Sequence, residues 1–183
     1  MRQIRSSVFE TNSSSSHSLV ITTDNEHYTK EEMMSNIYIR EDGTIRIWAS
    51  DLEFYRSPFD ILATFYDKAR YAIAASNGNL VAEVQDIFRK YIYSFTNFVF
   101  DQIYKSYDND YGGTDDYLIE GWLKKYNISL EEFLTNKRYV VICDGDEYCV
   151  WDHLKESGLI RTDMIVSDSY SDYLNALREQ WDK

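Results

Sequence analysis

The sequence predicts an α+β domain: a small, mostly antiparallel sheet packed against a central long helical hairpin and shorter C-terminal helices. Three observations predict it. Short β-branched or alternating runs lie toward both ends of the chain, two long apolar patterns of helical spacing fill the middle, and the order β, α, β, α keeps the strands apart in sequence. The single proline and seven glycines among 183 residues form no linker, so the expected organisation is one domain over residues 1–183. A chain of this length buries roughly 68–70% of its unfolded surface, enough for a core without staples.

Each element follows from its pattern. Ile4 and Val8-Phe9 suggest short β structure, and Leu19 to Thr23 is a β-branched run; the polar stretch from Glu10 to Ser18 between them reads as a loop. Asn36 to Arg40 and Thr44 to Trp48 alternate with period two around Glu41-Asp42-Gly43, which predicts a hairpin with glycine at the turn. Ser57-Pro58 has the form of an N-cap followed by proline in the first helical position. Phe59, Leu62, Phe65, Tyr66, Ala69 and Ile73 then recur at helical spacing until Asn77-Gly78 stops the helix. A second helix is expected from about Leu80 to Tyr107, with Val84, Ile87, Phe88, Tyr91, Phe95, Phe98 and Val99 on its apolar face. A short helix from about Asp116 to Tyr126 follows a loop, and Ser129-x-x-Glu132 has the form of a capping box. Tyr139 to Cys143 reads as a buried strand, Asp144 to Glu147 as its turn and Tyr148 to Trp151 as a return strand. Met164 to Ser167 is a further strand candidate, and Ser171 to Trp181 a closing helix.

Charge narrows the function. Nineteen Lys and Arg against 31 Asp and Glu give a net charge of −12, which disfavours direct contact with nucleic acid or an anionic membrane and favours a basic partner. Residues 1–100 carry 13 acids and 10 bases, whereas residues 101–183 carry 18 and 9, so most of the surplus lies in the second half. Cys143 and Cys149 make neither a disulfide framework nor a zinc site, and His17, His27 and His153 lack ligand spacing, so no metal or other cofactor is expected. With no apolar run of membrane length and no apolar leader after Met1, a cytoplasmic protein is the expectation.

Three constellations carry chemistry. Asn12, Ser13, Ser14, Ser15, Ser16 and His17 offer hydroxyls beside an imidazole, with Glu10 or Asn12 available to orient it. Such groups suit acyl or phosphoryl transfer if the fold assembles them, ligand binding through hydroxyls and amides, or simple self-capping of a loop. Asp108, Asp110, Asp115 and Asp116 interleave with Tyr107, Tyr111 and Tyr117. From Asp108 the fifth loop position is Gly112 and the twelfth Ile119, so the calcium-loop pattern fails; a solvated loop, a looser Mg²⁺ or Ca²⁺ site and a patch pairing tyrosine rings with carboxylates for Arg and Lys are the readings left, the last being the one that carries function. Asp144, Asp146 and Glu147 have the Asp-x-Asp form that holds Mg²⁺ in phosphotransfer sites, but the immediate return strand favours a hairpin turn that adds carboxylates to the acidic half.

The segment Val8-Phe9-Glu10-Thr11-Asn12-Ser13-Ser14-Ser15-Ser16-His17-Ser18-Leu19 resembles the start of small proteins encoded by bacteriophages, prophages and mobile elements of Firmicutes. The likeness covers about fifteen residues. With the chain's small size, acidity and abundant tyrosine, it looks like an anti-CRISPR protein that inhibits a type II effector such as Cas9. The resemblance implies a Cas9–guide RNA complex as the partner and supplies no residue roles. Physically, Cas9 holds nucleic acid in positively charged channels, and fixed carboxylates at Asp108, Asp110, Asp115, Asp116, Asp144, Asp146 and Glu147 would compete there through charge-assisted bonds to arginine. The alternatives are a small phage enzyme acting on a nucleotide or protein through the Ser13–Ser18 loop with His17, and an accessory protein acting by self-association through its sixteen tyrosines and four tryptophans.

Overall fold

In the computed structural model the described residues are 16–21, 25–52, 54, 60–76, 78–101, 118–144 and 165–166. They form an α+β fold with two sheets. The strands are β1 (Ser16–Ile21), β2 (Thr44–Ile47), β3 (Asp60–Leu62), β4 (Asn97–Phe100), β5 (Tyr139–Asp144) and β6 (Ile165–Val166). The helices are α1 (Lys30–Met34), α2 (Phe65–Ala75), α3 (Val81–Tyr91), α4 (Leu118–Tyr126) and α5 (Leu130–Thr135). The larger sheet has the order β3-β5-β1-β6 and is antiparallel throughout; β2 and β4 make a separate parallel pair.

The antiparallel sheet explains the burial of its central strands. β1 and β5 pair over their full length, with His17 opposite Cys143, Leu19 opposite Val141 and Ile21 opposite Tyr139. Strand alternation puts these residues on one face, where Leu19, Val141 and Cys143 join Leu62 in a core shared with α2. Val20, Val140 and Ile142, on the other face, are also buried, so the central strands are buried on both faces at these positions. That accounts for the continuous apolar run in β5.

The first helix starts later than the proline signal suggests. Asp60–Leu62 pairs with β5, and α2 begins after Thr64, whose hydroxyl accepts the Asp67 backbone N–H at 3.1 Å. Ser57-Pro58 lies outside the described residues. The end of α2 matches expectation: Gly78 has φ +79° and its N–H reaches the Ile73 carbonyl at 2.9 Å, a glycine-terminated helix.

The second helix is much shorter than its apolar pattern. It stops at Tyr91, and Asn97–Phe100 is a strand. Phe95 and Phe98 fit a helical face, yet they bury in an aromatic cluster that needs a turn first: Phe88 lies 4.7 Å from Phe65, 5.3 Å from Phe95 and 5.0 Å from Phe98 between ring centroids. The turn falls at Tyr93-Ser94, where serine is a common turn residue.

The expected hairpin is also corrected. The turn exists, since Gly43 has φ +81° and bonds the Arg40 carbonyl at 2.9 Å, but residues 36–40 form no strand. β2 pairs instead with β4, in parallel, because Ile45 and Ile47 bury against the same phenylalanine cluster that holds Phe98. A Cβ at Gly43 would meet the Ser94 carbonyl oxygen at 2.5 Å. Gly43→Ala is therefore expected to destabilise the fold by about 1–3 kcal/mol, through strain at positive φ and a clash with backbone; urea unfolding measures it. On the outward face, Arg46 stacks on the half-exposed Trp48 ring at 3.7 Å, beside Val99.

The remaining expectations fare better. The short helix is found as α4, Ser129 accepts the Glu132 N–H at 3.1 Å to open α5, and residues 165–166 form the edge strand β6. Ser129→Ala is expected to cost about 1 kcal/mol of stability by removing this cap, read as a lower urea midpoint at unchanged slope. The sequence from Tyr148 to Trp151 and from Ser171 to Trp181 lies outside the described residues.

Candidate functional site

His17 is not in a loop. It is the second residue of β1, and its imidazole packs toward α2, where Nδ1 lies 3.1 Å from the Tyr71 hydroxyl and the rings meet edge-on at 5.6 Å. Tyr71 is fully buried; it sits edge-on to Phe54 at 5.2 Å and stacks on Trp122 of α4 at 6.0 Å. Nε2 is sealed from solvent with no hydrogen-bond partner among the described residues. Burial pushes the His17 pKa down to about 4, against a smaller opposing pull from the Phe54 backbone carbonyl. The ring is therefore neutral near pH 7. An effective general base has a pKa near the working pH, and burial moves this imidazole away from it.

Strand alternation puts positions 16 and 18 on the opposite face from position 17, and Asn12, Ser13, Ser14 and Ser15 lie outside the described residues. The expected loop from Glu10 to Ser18 is corrected over its last three residues: Ser16, His17 and Ser18 belong to β1. The ring of His17 follows the period-two pattern of Leu19 and Ile21, which treating histidine as a polar loop residue hides.

Of the acidic candidates, Asp144 is the last residue of β5, opposite Ser16. Asp108, Asp110, Tyr111, Asp115, Asp116, Asp146 and Glu147 lie outside the described residues. The described frame gives several of its carboxylates internal partners. Arg70 bonds Asp67 at 2.7 Å, Arg89 bonds Asp86 at 2.7 Å, Lys90 reaches Glu131 at 2.5 Å, and Lys137 bridges Glu32 at 2.7 Å and Glu26 at 3.8 Å. Asp42 is bonded by the backbone and hydroxyl of Thr44, and Asp101 by the Ala49 N–H. Lys90 and Tyr91 hold the Glu131 carboxyl below its ordinary range, and Lys137 with the Thr29 backbone does the same for Glu32. The described residues carry 15 acids and 11 bases; the others carry 16 acids and 8 bases, hence −8 of the net −12.

Two polar arrangements escape sequence reading. The first is Lys68, fully buried inside α2. Its ammonium donates to the Phe133 and Asn136 carbonyls, each at 2.8 Å, at the end of α5, and lies 4.7 Å from the Tyr28 ring centroid. Burial lowers its pKa well below the ordinary lysine value, opposed by Glu132. The signal was present: position 68 falls within the stripe of Phe65, Ala69, Ala72 and Ile73, where a charge is out of place. The lysine acts as a tether, satisfying carbonyls that α5 leaves without intrahelical partners.

The second joins His27, Thr135 and Glu132. His27 Nδ1 lies 3.1 Å from the Thr135 hydroxyl and Nε2 lies 3.7 Å from Glu132. The order hydroxyl, imidazole, carboxylate suggests a relay, but the bonds run the wrong way. Thr135 donates its proton to the Glu131 carbonyl at 2.8 Å, so the imidazole must donate to the hydroxyl oxygen, and the hydroxyl is buried. The trio ties residues 25–28 to α5, together with Tyr28 N–H to the Thr135 carbonyl at 2.9 Å and Lys137 N–H to the Glu26 carbonyl at 2.8 Å. Among the described residues, no three His, Cys, Asp or Glu side chains come together to hold a metal, and no helix is long and apolar enough to cross a membrane. Comparison of the chain with protein-family models, with curated proteins and with solved structures finds no match.

Proposed function

We propose that the chain is a binding protein: a phage-encoded inhibitor of a bacterial defence effector, of the anti-CRISPR kind, acting in the host cytoplasm on a type II Cas9–guide RNA complex by presenting carboxylates where the effector expects phosphates. The observation that supports this most is the division of charge. The described frame carries nearly as many bases as acids, 11 against 15, and pairs several of them, while two thirds of the negative surplus belongs to the rest of the sequence, which includes Asp108, Asp110, Asp115, Asp116, Asp146 and Glu147. Sixteen acids against eight bases there leave a surplus of carboxylates that can engage a basic channel, with association steered by charge and weakened by salt. The packing of His17 favours binding over turnover, because it engages the candidate base in the core.

The test is direct. In low salt, micromolar protein is expected to bind Cas9–guide RNA and to lower its retention of target DNA, with the effect fading as salt rises. Replacing Asp108, Asp110, Asp115 and Asp116 together by Asn is expected to weaken inhibition by on the order of tenfold or more. No complex and no slowing of cleavage in low salt would show this target to be wrong.

A further inference from the structure

We draw no further inference here: the strongest candidate, the outward face of the two-stranded β2–β4 sheet where the exposed side chains of Trp48 and Val99 flank Arg46, is a surface patch for which nothing in the structure shows what covers it.

Discussion

Lys68→Met is expected to lower stability by about 2–4 kcal/mol, although it removes a charge from the core. Two effects compete. Methionine has no buried ammonium to desolvate, and exchanging a buried ionic group for an apolar one is often neutral when every partner is removed with it. Here the partners stay. The Phe133 carbonyl, bonded at 2.8 Å, would lose its donor inside the core, at about 1–3 kcal/mol, and the Asn136 carbonyl, also bonded at 2.8 Å, would keep only the Tyr139 N–H at 3.5 Å. The contact with the Tyr28 ring would go as well. The lost bonds to the two carbonyls outweigh the relieved charge, and the melting temperature should fall by on the order of 10 °C. The pH dependence supplies a second signature. Because the folded lysine has a pKa well below its ordinary value, the unfolded chain binds the extra proton between the folded pKa and about 10.4. Stability from this group therefore rises with pH through that window, and the variant lacks the rise. Urea midpoints of wild type and variant across alkaline pH measure both effects.

Acid is expected to act on His17 in the opposite range. Its pKa is about 4 in the folded chain and 6.5 when unperturbed. Between those values the unfolded chain holds a proton that the folded chain refuses, so the contribution is complete above pH 6.5 and is lost as pH falls to 4. The loss is about 3 kcal/mol at about 1.4 kcal/mol per unit. Glu32, Asp42 and Glu131, whose carboxyls are held below their ordinary range, add their own losses at lower pH. Subtracting the profile of His17→Gln isolates the histidine: the variant should lose less between pH 6.5 and 4. At neutral pH, His17→Ala should already lower stability by about 2–3 kcal/mol, since it empties a site against Tyr71. A histidine serving as a surface base would give the reverse result, lost activity at an unchanged melting temperature.

These two residues also show where the sequence was legible. Patterns with one available partner were read correctly: the apolar run of β5, the Ser129 cap and the glycine stop at Gly78 depend on a few adjacent residues. Patterns compatible with two structures were not. Phe95, Phe98 and Val99 satisfy helical spacing and strand alternation alike, and long-range contact with Phe65 and Phe88 decides between them. The alternation from Thr44 to Trp48 marks a strand next to a turn, but its partner lies some fifty residues onward, beyond the reach of a hairpin rule. Lys68, His27 and Asn136 work through carbonyls and side chains that meet only after folding, so residue type alone gave no hint of their partners. Of the acidic residues singled out for partner binding, Asp144 alone falls within the described frame, at the end of β5. Several acids of that frame, among them Asp67, Asp86, Glu131 and Glu32, have their own cations, which no count of charges along the chain reveals.

Occupancy rather than turnover is the centre of this account, and a titration of target-DNA cleavage tests it most directly. Purified chain is added to a fixed amount of Cas9–guide RNA well above the dissociation constant, and residual cleavage is plotted against molar ratio. The account predicts a linear fall that ends near a fixed, small whole-number ratio, independent of incubation time. Progressive loss of cleavage at a small fraction of that ratio, growing with time, would contradict it, as would full cleavage at every ratio.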